Sequence, residues 1–542
     1  MSTEIDGVRE FVADLRSSIG LAGVAEIADV GGVAETDVMA PVPECVARSA
    51  HRGAVLAARS VLVLLGAWLS LFRLSVPSWN IDETIYAAAS EAYRAGDLRP
   101  NPEHPPVGKY LIGASQALFG DTLSAARLPA ALMLLGSGLL VWVWLGRVGP
   151  RASGPIAAVL IWSLPVLDGF PEAPDRPPDS SVLARAALLD PLAAGIALTA
   201  LIAGWWWITT HRTLAAGCCG FLSGLACATK IPAGLIVVVP LAVGCVAAAC
   251  CPGTVPARLF RAVGQAACWT VAATAAFVGS YLPMGTRAPA TFERMVRVQR
   301  RHGAAGHMIL VNGSPRLHAP WWINLSWQYD SWGALLSTAA VAALLAGFLA
   351  RSGLAAYLTA AWLLPAVALA PVTGLALPHY LVLWRPALIV SVTVAAVAGV
   401  SRLWRAARGD SRLLRRAGQA LAAGLAAVIA VSAAAPTVRS VEAVATLRPT
   451  GYAALPAVIP ADATVVLVGD LGPAHRYLPG CQLLRVSAAQ LSGDPAPAAI
   501  VLARGSTLRN GDHGLAAWAR ARGYQHLRTG PLDVWLAPGR PA

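Results

Sequence analysis

IDETIYAAASEAYRAGDLRPNPEHPPVGKYLIG, residues 81–113, follows the first apolar run of a chain that otherwise carries few charges. It places Asp82 and Glu83, and then Glu103-His104-Pro105-Pro106, directly beyond that run. Charge close to a bilayer is costly, so these acids need a reason to be there. Two readings compete for Asp82: it caps the short helix that DETIYAAASEAYRAG predicts, or it is a general base at the mouth of a membrane bundle. The helical spacing puts Ile85, Ala88, Ala89 and Ala92 on one face. Pro105-Pro106 stops any helix at His104, and VGKYLIGASQALFG restarts one, with Val107, Tyr110, Leu111, Ala114, Ala117 and Leu118 as its apolar face. A helix of that kind lies along the membrane surface and holds its loop, carboxylates included, at the mouth of the bundle.

Composition agrees with a membrane setting. Of 542 residues, 56% are hydrophobic and 13% charged, and the mean hydropathy is +0.58, far too apolar for a soluble enzyme of this length. The formal net charge of +13 does not argue for nucleic acid, because polytopic proteins gather Lys and Arg in cytoplasmic loops. Seven of the nine Cys (Cys218, Cys219, Cys227, Cys245, Cys250, Cys251, Cys268) sit in apolar runs without paired CxxC spacing, which reads as buried thiols. Residues 1–52 mix acids, arginines and small residues without an apolar core, so they read as a cytoplasmic tail rather than a cleavable signal.

Apolar runs of bilayer length predict eleven spans, near 54–76, 127–147, 153–170, 182–209, 214–231, 233–251, 263–283, 333–350, 354–371, 380–400 and 417–436. Arg48, Arg52, Arg147, Arg151, His211, Arg212, Arg258 and Arg261 then fall on one side, together with Arg402, Arg405, Arg408, Arg412, Arg415 and Arg416. That side is predicted to be cytoplasmic. The loops at 77–126, 171–181 and 284–332 and the tail from 437 face the exoplasm. Arg294, Arg297, Arg300, Arg301 and Arg316 break the charge rule by lying outside, and ask for an anionic partner.

More polar positions converge on the same mouth. Asp190, followed by Pro191, lies in the outer half of the fourth span, with Arg185 about a turn nearer the surface, and Lys230 in ATKIPAG ends the fifth. Each has a bland alternative: Lys230 snorkels to the interface, and Arg185 with Asp190 forms a structural ion pair, or Asp190 relieves the proline kink. Taken with the outward acids and the basic loop, they describe a site that joins a phosphate to a hydroxyl at the outer leaflet.

The order DE…Y, Glu103-His104-Pro105-Pro106-x-Gly-Lys, ARAALLDP and GLACATKIPAG resembles the polytopic lipid-phosphate-sugar-dependent glycosyltransferases, typified by protein O-mannosyltransferases, and is similar to lipid A aminoarabinose transferases. The likeness runs through residues 54–436 and continues in RRHGAAGHMILVNGSPRLHAPWWINLSW, with His302, His307 and Pro320-Trp321-Trp322, and in PHYLVLWRPAL, with His379, Tyr380 and Arg385. The resemblance implies that Asp82 deprotonates the acceptor hydroxyl, with Glu83 and Glu103 in support. Donor and acceptor would lie against His104, Arg185, Asp190, Lys230, Arg301, His302, His307, His379 and Tyr380. A sugar would pass with inversion from a polyprenyl phosphate to a protein, lipid or glycan acceptor. Lys230 and Arg185, then Arg301 and His307, are the cations expected near the leaving phosphate. A divalent cation remains open, since Glu103 with His104 or His307 could hold one, although no compact ligand spacing demands it.

The tail from 437 reads as a separate unit: TVVLVGD, AAIVLARG and LDVWLAP predict buried strands, and HGLAAWARARG a helix between them. Its GDLGPAH turn is not a dinucleotide fingerprint. The predicted architecture is an all-α polytopic bundle with an interfacial-helix outer loop and a small C-terminal α/β exoplasmic domain. The expected domains are 1–52, 53–436 and 437–542, in a plasma (inner) membrane protein with a cytoplasmic N-terminus. Membrane lipids are expected partners and nucleic acid is not. The competing class is a polytopic transporter or lipid flippase, which would favour internal repeats and broken helices at mid-membrane.

Overall fold

The computed structural model describes residues 42–76, 79, 81–150, 152–163, 184–306, 309–311, 314–406, 412–449, 451–469, 471–492, 496–503, 514–530 and 532–539. The expected loop at 171–181, His307 and most of the N-terminal tail lie outside these residues. The chain is mostly helical, and eight helices among the described residues are long and apolar enough to cross a membrane. They are α1 (Val42–Leu71, apolar from Gly53), α4 (Leu123–Val148), α6 (Leu189–Thr210), α8 (Gly234–Ala249, with the 3-10 turn Ile231–Ala233), α9 (Val255–Gly279), α11 (Ile323–Leu349), α12 (Gly353–Thr373) and α13 (Leu381–Ala406). This is a polytopic membrane protein. Two further apolar helices are shorter, α5 (Ser153–Ser163) and α7 (Thr213–Thr229). The run at 417–436 lies inside α14 (Arg412–Ala445), which continues to Ala445 before the C-terminal unit begins.

Helix ends follow local chemistry. Thr122 caps α4 by accepting from the Ala125 amide at 3.2 Å, and Ser352 caps α12 in the same way at 3.3 Å. Gly374, at φ 70°, ends α12 in the left-handed region that glycine adopts without strain. Gly333, at φ 72°, breaks α11 into a short leading segment and the main helix, so the expected start of that span at 333 marks a kink rather than an end. The span expected at 263–283 is displaced: α9 begins at Val255, which puts Arg258 and Arg261 inside the helix instead of in a connecting loop.

Small residues let the helices approach closely. A Cβ on Gly220 or Gly224 of α7 would meet the backbone of Trp269 or Ala273 in α9 at 2.2 and 2.1 Å, and one on Gly347 of α11 would meet Ala395 of α13 at 2.5 Å. Helix α13 is the most deeply buried span and contributes Leu381, Val382, Leu383, Trp384, Val390 and Ala395 to the core.

Two shorter helices fill the first loop, α2 (Ile81–Arg94) and α3 (Val107–Phe119). Of the stripe expected in α2, Ile85 and Ala88 are exposed, Ala92 is half-buried and Ala89 is buried, beside the buried Glu83, Tyr86, Ala87 and Ser90; in α3, Leu111, Ala114, Ala117 and Leu118 are exposed, as a surface helix requires, while Gly108, Lys109, Ile112, Ser115 and Gln116 are buried. Periodicity identifies a face without saying what covers it, and a helix at a lipid surface turns its oily side away from the protein. A later outer helix, α10 (Ala288–Ala305), leads into the hairpin β1 (Ile309–Val311) and β2 (Ser314–Arg316).

The C-terminal unit holds a five-stranded sheet, order β4-β3-β5-β7-β6. The strands are β3 (Thr464–Val468), β4 (Gln482–Leu484), β5 (Ala499–Ala503), β6 (Gln525–Thr529) and β7 (Leu532–Leu536), with helices α15 (Leu471–Tyr477) and α16 (Leu515–Ala521). The first three pair in parallel, while β7 runs antiparallel to both β5 and β6. Val465, Leu467, Val501 and Val534 cover one face, and Val466, Ile500 and Trp535 the other, as strand alternation requires.

One buried ion pair fixes the first loop to the bundle. Arg127 of α4 grips Glu83 of α2 in a fork, Nε to Oε1 at 2.7 Å and Nη2 to Oε2 at 2.6 Å, and its Nη1 donates to the Leu74 carbonyl at 2.8 Å. The Ala187 amide donates to Glu83 Oε1 at 2.7 Å, so every oxygen is satisfied although the side chains are 0% and 2% exposed. Removing one partner strands the other charge, so Glu83→Ala is expected to destabilise the protein by about 3–5 kcal/mol. Glu83→Leu with Arg127→Met should recover part of that loss. Thermal unfolding of the variants in one detergent checks this, and an unchanged Glu83→Ala midpoint would deny the pair its anchoring role.

Candidate active site

The polar faces of α2 and α3 meet the ends of α6, α7 and α13 at one mouth of the bundle. Asp82 is half-buried and lies second in α2, inside the first turn. It therefore stands past the capping position, where its charge also complements the helix dipole. Tyr86, one turn on, points into the same region: burial holds its phenol well above its ordinary value, and Asp82, Asp190, Tyr380 and Glu103 push in the same direction. Burial, then Asp190 and Asp82, raise Tyr380 likewise. Both phenols are therefore O–H donors at neutral pH.

Asp190 begins α6 and Lys230 ends α7. Lys230 Nζ is 2.7 Å from Asp190 Oδ1 and 2.6 Å from Oδ2, each side chain being 1% exposed. The ammonium also stands 4.4 Å from the centre of the Tyr380 ring, a cation–π contact that desolvation strengthens. His379 Nε2 is 4.0 Å from Asp190 Oδ2, and the His379 ring meets Tyr380 edge-on at 4.9 Å. Lys230 is thus a paired, buried lysine, not a snorkelling one.

The structural ion pair between Arg185 and Asp190, the alternative to a functional role for them, does not form. Helix α6 starts at Leu189, so Arg185 stands in the turn before it and donates through Nη1 to the carbonyls of Leu69 (3.0 Å) and Phe72 (2.7 Å) at the end of α1. Burial, with Arg127 nearby, pushes its guanidinium down to about 10.

The loop between α2 and α3 is tied down from within. Lys109 Nζ donates to the carbonyls of Asn101 (2.5 Å) and His104 (2.8 Å), and stands 5.1 Å from the centre of the Tyr93 ring. Burial pushes this ammonium down to about 7, with Glu103 opposing the shift. Asn101 Nδ2 donates to Glu103 at 2.6 Å, and Gln299 of α10 donates to the Glu103 carbonyl at 2.8 Å. His104 packs edge-on against Tyr86 at 5.6 Å. Burial drives its imidazole well below its usual value, and Lys230, Lys109, His379 and His302 add to the effect, so His104 is neutral at pH 7.

Asp82, Glu103, His104, Asp190, Lys230, His379 and Tyr380 therefore share one neighbourhood, with His302 close enough to act on His104. Arg301 is exposed beside His302 at the end of α10, Arg185 packs against α1, and Glu83 belongs to the anchoring pair. Tyr86 and Lys109 stand in the first-loop motifs, as the last residues of DE…Y and of Glu103-His104-Pro105-Pro106-x-Gly-Lys, but carry no assigned role there. The latter carried a signal, a lysine on the polar side of a surface helix immediately after Pro-Pro-x-Gly. Among the described residues no three His, Cys, Asp or Glu groups converge as metal ligands. One Glu103 oxygen accepts from Asn101, and His307, one of the two histidines weighed with Glu103 for a cation, lies outside the described residues.

No family model matches the chain, and no curated protein matches it. Solved structures do. ArnT from Cupriavidus metallidurans in the apo state is similar at 18% identity over 90% of this chain and 98% of its own, with a TM-score of 0.53. The same protein bound to undecaprenyl phosphate gives 19% identity over 89% and 98%, with a TM-score of 0.48. The apo oligosaccharyltransferase of Archaeoglobus fulgidus gives 14% over 78% and 64%, with a TM-score of 0.43. The chain has the fold of the first of these.

Proposed function

We propose that this chain is a membrane glycosyltransferase that moves a sugar from a polyprenyl phosphate to an acceptor hydroxyl, with inversion at the anomeric carbon and Asp82 as general base. The observation that carries this reading is the convergence of Asp82 with the Asp190–Lys230 pair, His104, His379 and Tyr380 at one mouth of a lipid-facing bundle. The fold shared with ArnT accords with it.

Asp82 takes the proton from the acceptor hydroxyl as that oxygen bonds to the anomeric carbon. The bond from that carbon to the phosphate oxygen breaks on the opposite side, and the phosphate leaves with the bonding pair. Its charge grows by one unit as it departs, so fixed donors aimed there favour the transition state over the ground state. Tyr86, Tyr380 and neutral His104 supply O–H and N–H donors. Lys230 supplies its charge through the pair with Asp190, and exposed Arg301 and His302 meet the donor at the rim. The acceptor is a protein, lipid or glycan hydroxyl. The basic residues at 402–416 support a cytoplasmic face on that side, which puts the mouth and the C-terminal unit outside the plasma membrane.

Asp82→Asn is expected to abolish transfer while leaving the fold and donor binding intact. Incubating the purified protein with a panel of radiolabelled polyprenyl-phosphate sugars identifies the donor, and near-normal turnover by this variant would remove Asp82 from the reaction.

Lys230→Met leaves the Asp190 carboxylate buried and uncompensated beside an anionic donor. Donor binding should weaken by about 2–5 kcal/mol. In Asp190→Asn with Lys230→Met, binding returns if lysine acts by neutralising the aspartate, and stays weak if it touches the phosphate. Unchanged affinity in Lys230→Met, measured by direct titration, would sever the pair from donor recognition.

On intact cells whose native cysteines have been replaced, a cysteine at Arg99 or Arg522 should react with an impermeant thiol reagent, and one at Arg405 should not. The reverse labelling pattern would invert the topology and the leaflet of the reaction.

A further inference from the structure

The C-terminal sheet unit returns to touch the helix that carries Asp82. Arg476, near the end of α15, pairs with Glu91 of α2 at 2.6 Å, and its guanidinium stands 5.2 Å from the centre of the Trp79 ring. The hydroxyl of Tyr477 accepts from the Trp79 amide at 3.2 Å. Burial raises the Tyr477 phenol, and Arg127 and Glu83 are close enough to act on it as well. Gly472, at the start of α15, lies so near Thr84 that a Cβ on it would stand 2.6 Å from the threonine Oγ1 and 3.4 Å from its Cβ.

Helical phase gives these contacts their meaning. At about 100° per residue, Thr84 and Glu91 fall on one stripe of α2, and Asp82 with Tyr86 roughly 160° away from it. Glu83, Ala87 and Ser90 form a third flank, packed on the bundle, and Ile81, Ile85 and Ala88 the exposed fourth. The C-terminal unit thus grips the back of α2, the Glu83–Arg127 pair holds its side, and the reactive acid faces the mouth. With Arg476 26% and Glu91 29% exposed, their ion pair contributes little to overall stability. Displacing a base by an ångström, in contrast, lowers a rate by up to about a hundredfold.

We propose that α15 is a clamp that sets the rotation and tilt of α2, making Arg476 and Tyr477 positioning residues for the transfer. This rests on the reading of Asp82 as base. Gln116, which donates to Glu91 at 3.3 Å, braces the same carboxylate from α3, so the clamp tightens both loop helices together.

The test uses the full-length protein in lipid nanodiscs. Arg476→Ala should lower kcat about tenfold with a smaller change in the donor KM, because α2 carries the base and Tyr86 while the Asp190–Lys230 pair and Tyr380 stay on the bundle. Amides in 81–94 should exchange faster at a nearly unchanged unfolding midpoint. Glu91→Arg with Arg476→Glu should return kcat to within about threefold of wild type, as the reversed pair restores the grip. Thr84→Cys with Gly472→Cys should form a disulfide, since the Cβ separation suits one. Unchanged kcat and exchange in Arg476→Ala would overturn the clamp. So would a loss that tracks a lowered midpoint and is not restored by the reversed pair. If wild-type protein consumes no donor, the transfer reading falls, and the clamp is then judged on amide exchange and the disulfide alone: unchanged exchange together with no crosslink would overturn it.

Discussion

A buried carboxylate–guanidinium pair organises this molecule. Glu83 and Arg127 tie the first surface helix to the second span, while their remaining hydrogen bonds reach the end of the first span at Leu74 and the turn before α6 at Ala187. Four separate stretches of sequence are thereby fixed at one point. A charge pair withdrawn this far from water is costly unless every donor and acceptor is matched, and here the fork and the Ala187 amide complete the set. The acid beside it is free for other work. Asp82 and Glu83 are neighbours in sequence, yet their side chains leave the helix about 100° apart, so one anchors and the other faces the mouth.

The second pair, Asp190 with Lys230, follows the same logic with a different outcome. Its members are equally buried, but Tyr380 and His379 stand against it and the half-buried Asp82 lies nearby. Within the proposed transfer, this pair gives the wall behind the leaving phosphate a charge that is present but balanced. The neutral state of His104 is part of that balance, since a protonated imidazole among Lys230, Lys109 and His379 would add repulsion.

Much of the bundle was legible because apolar runs of bilayer length are long signals. The helices of the first loop were legible too, from Pro105-Pro106 and the spacing of Ile85, Leu111 and Leu118; the α3 stripe is exposed as a surface helix requires, but in α2 the stripe is split, with Ala89 turned into the protein, because spacing alone does not say what covers a face. The site was half-visible. His379 and Tyr380 entered only through the family resemblance, whereas Asp82, His104, Asp190 and Lys230 stood out as polar groups beside or within apolar runs. Their pairing did not, because Arg185 is near Asp190 in sequence while Lys230, forty residues away, is its partner in space. Strands β4 and β6 were missed for a local reason, one being three residues long and the other, QHLRT, mostly polar.

The route the chain takes through the site has a consequence for how the protein is made. Asp82 arrives with the first loop, Asp190 and Lys230 with the middle helices, Tyr380 with the entry to α13, and the clamp at Arg476 after the bundle. Contacts between segments so distant in sequence form late. During synthesis the acid is therefore inserted long before the groups that surround it, and the complete constellation exists only once nearly the whole polypeptide has left the ribosome. A chain truncated after α12 would keep the anchoring pair and the Asp190–Lys230 pair, yet have neither the tyrosine ring nor the grip on α2.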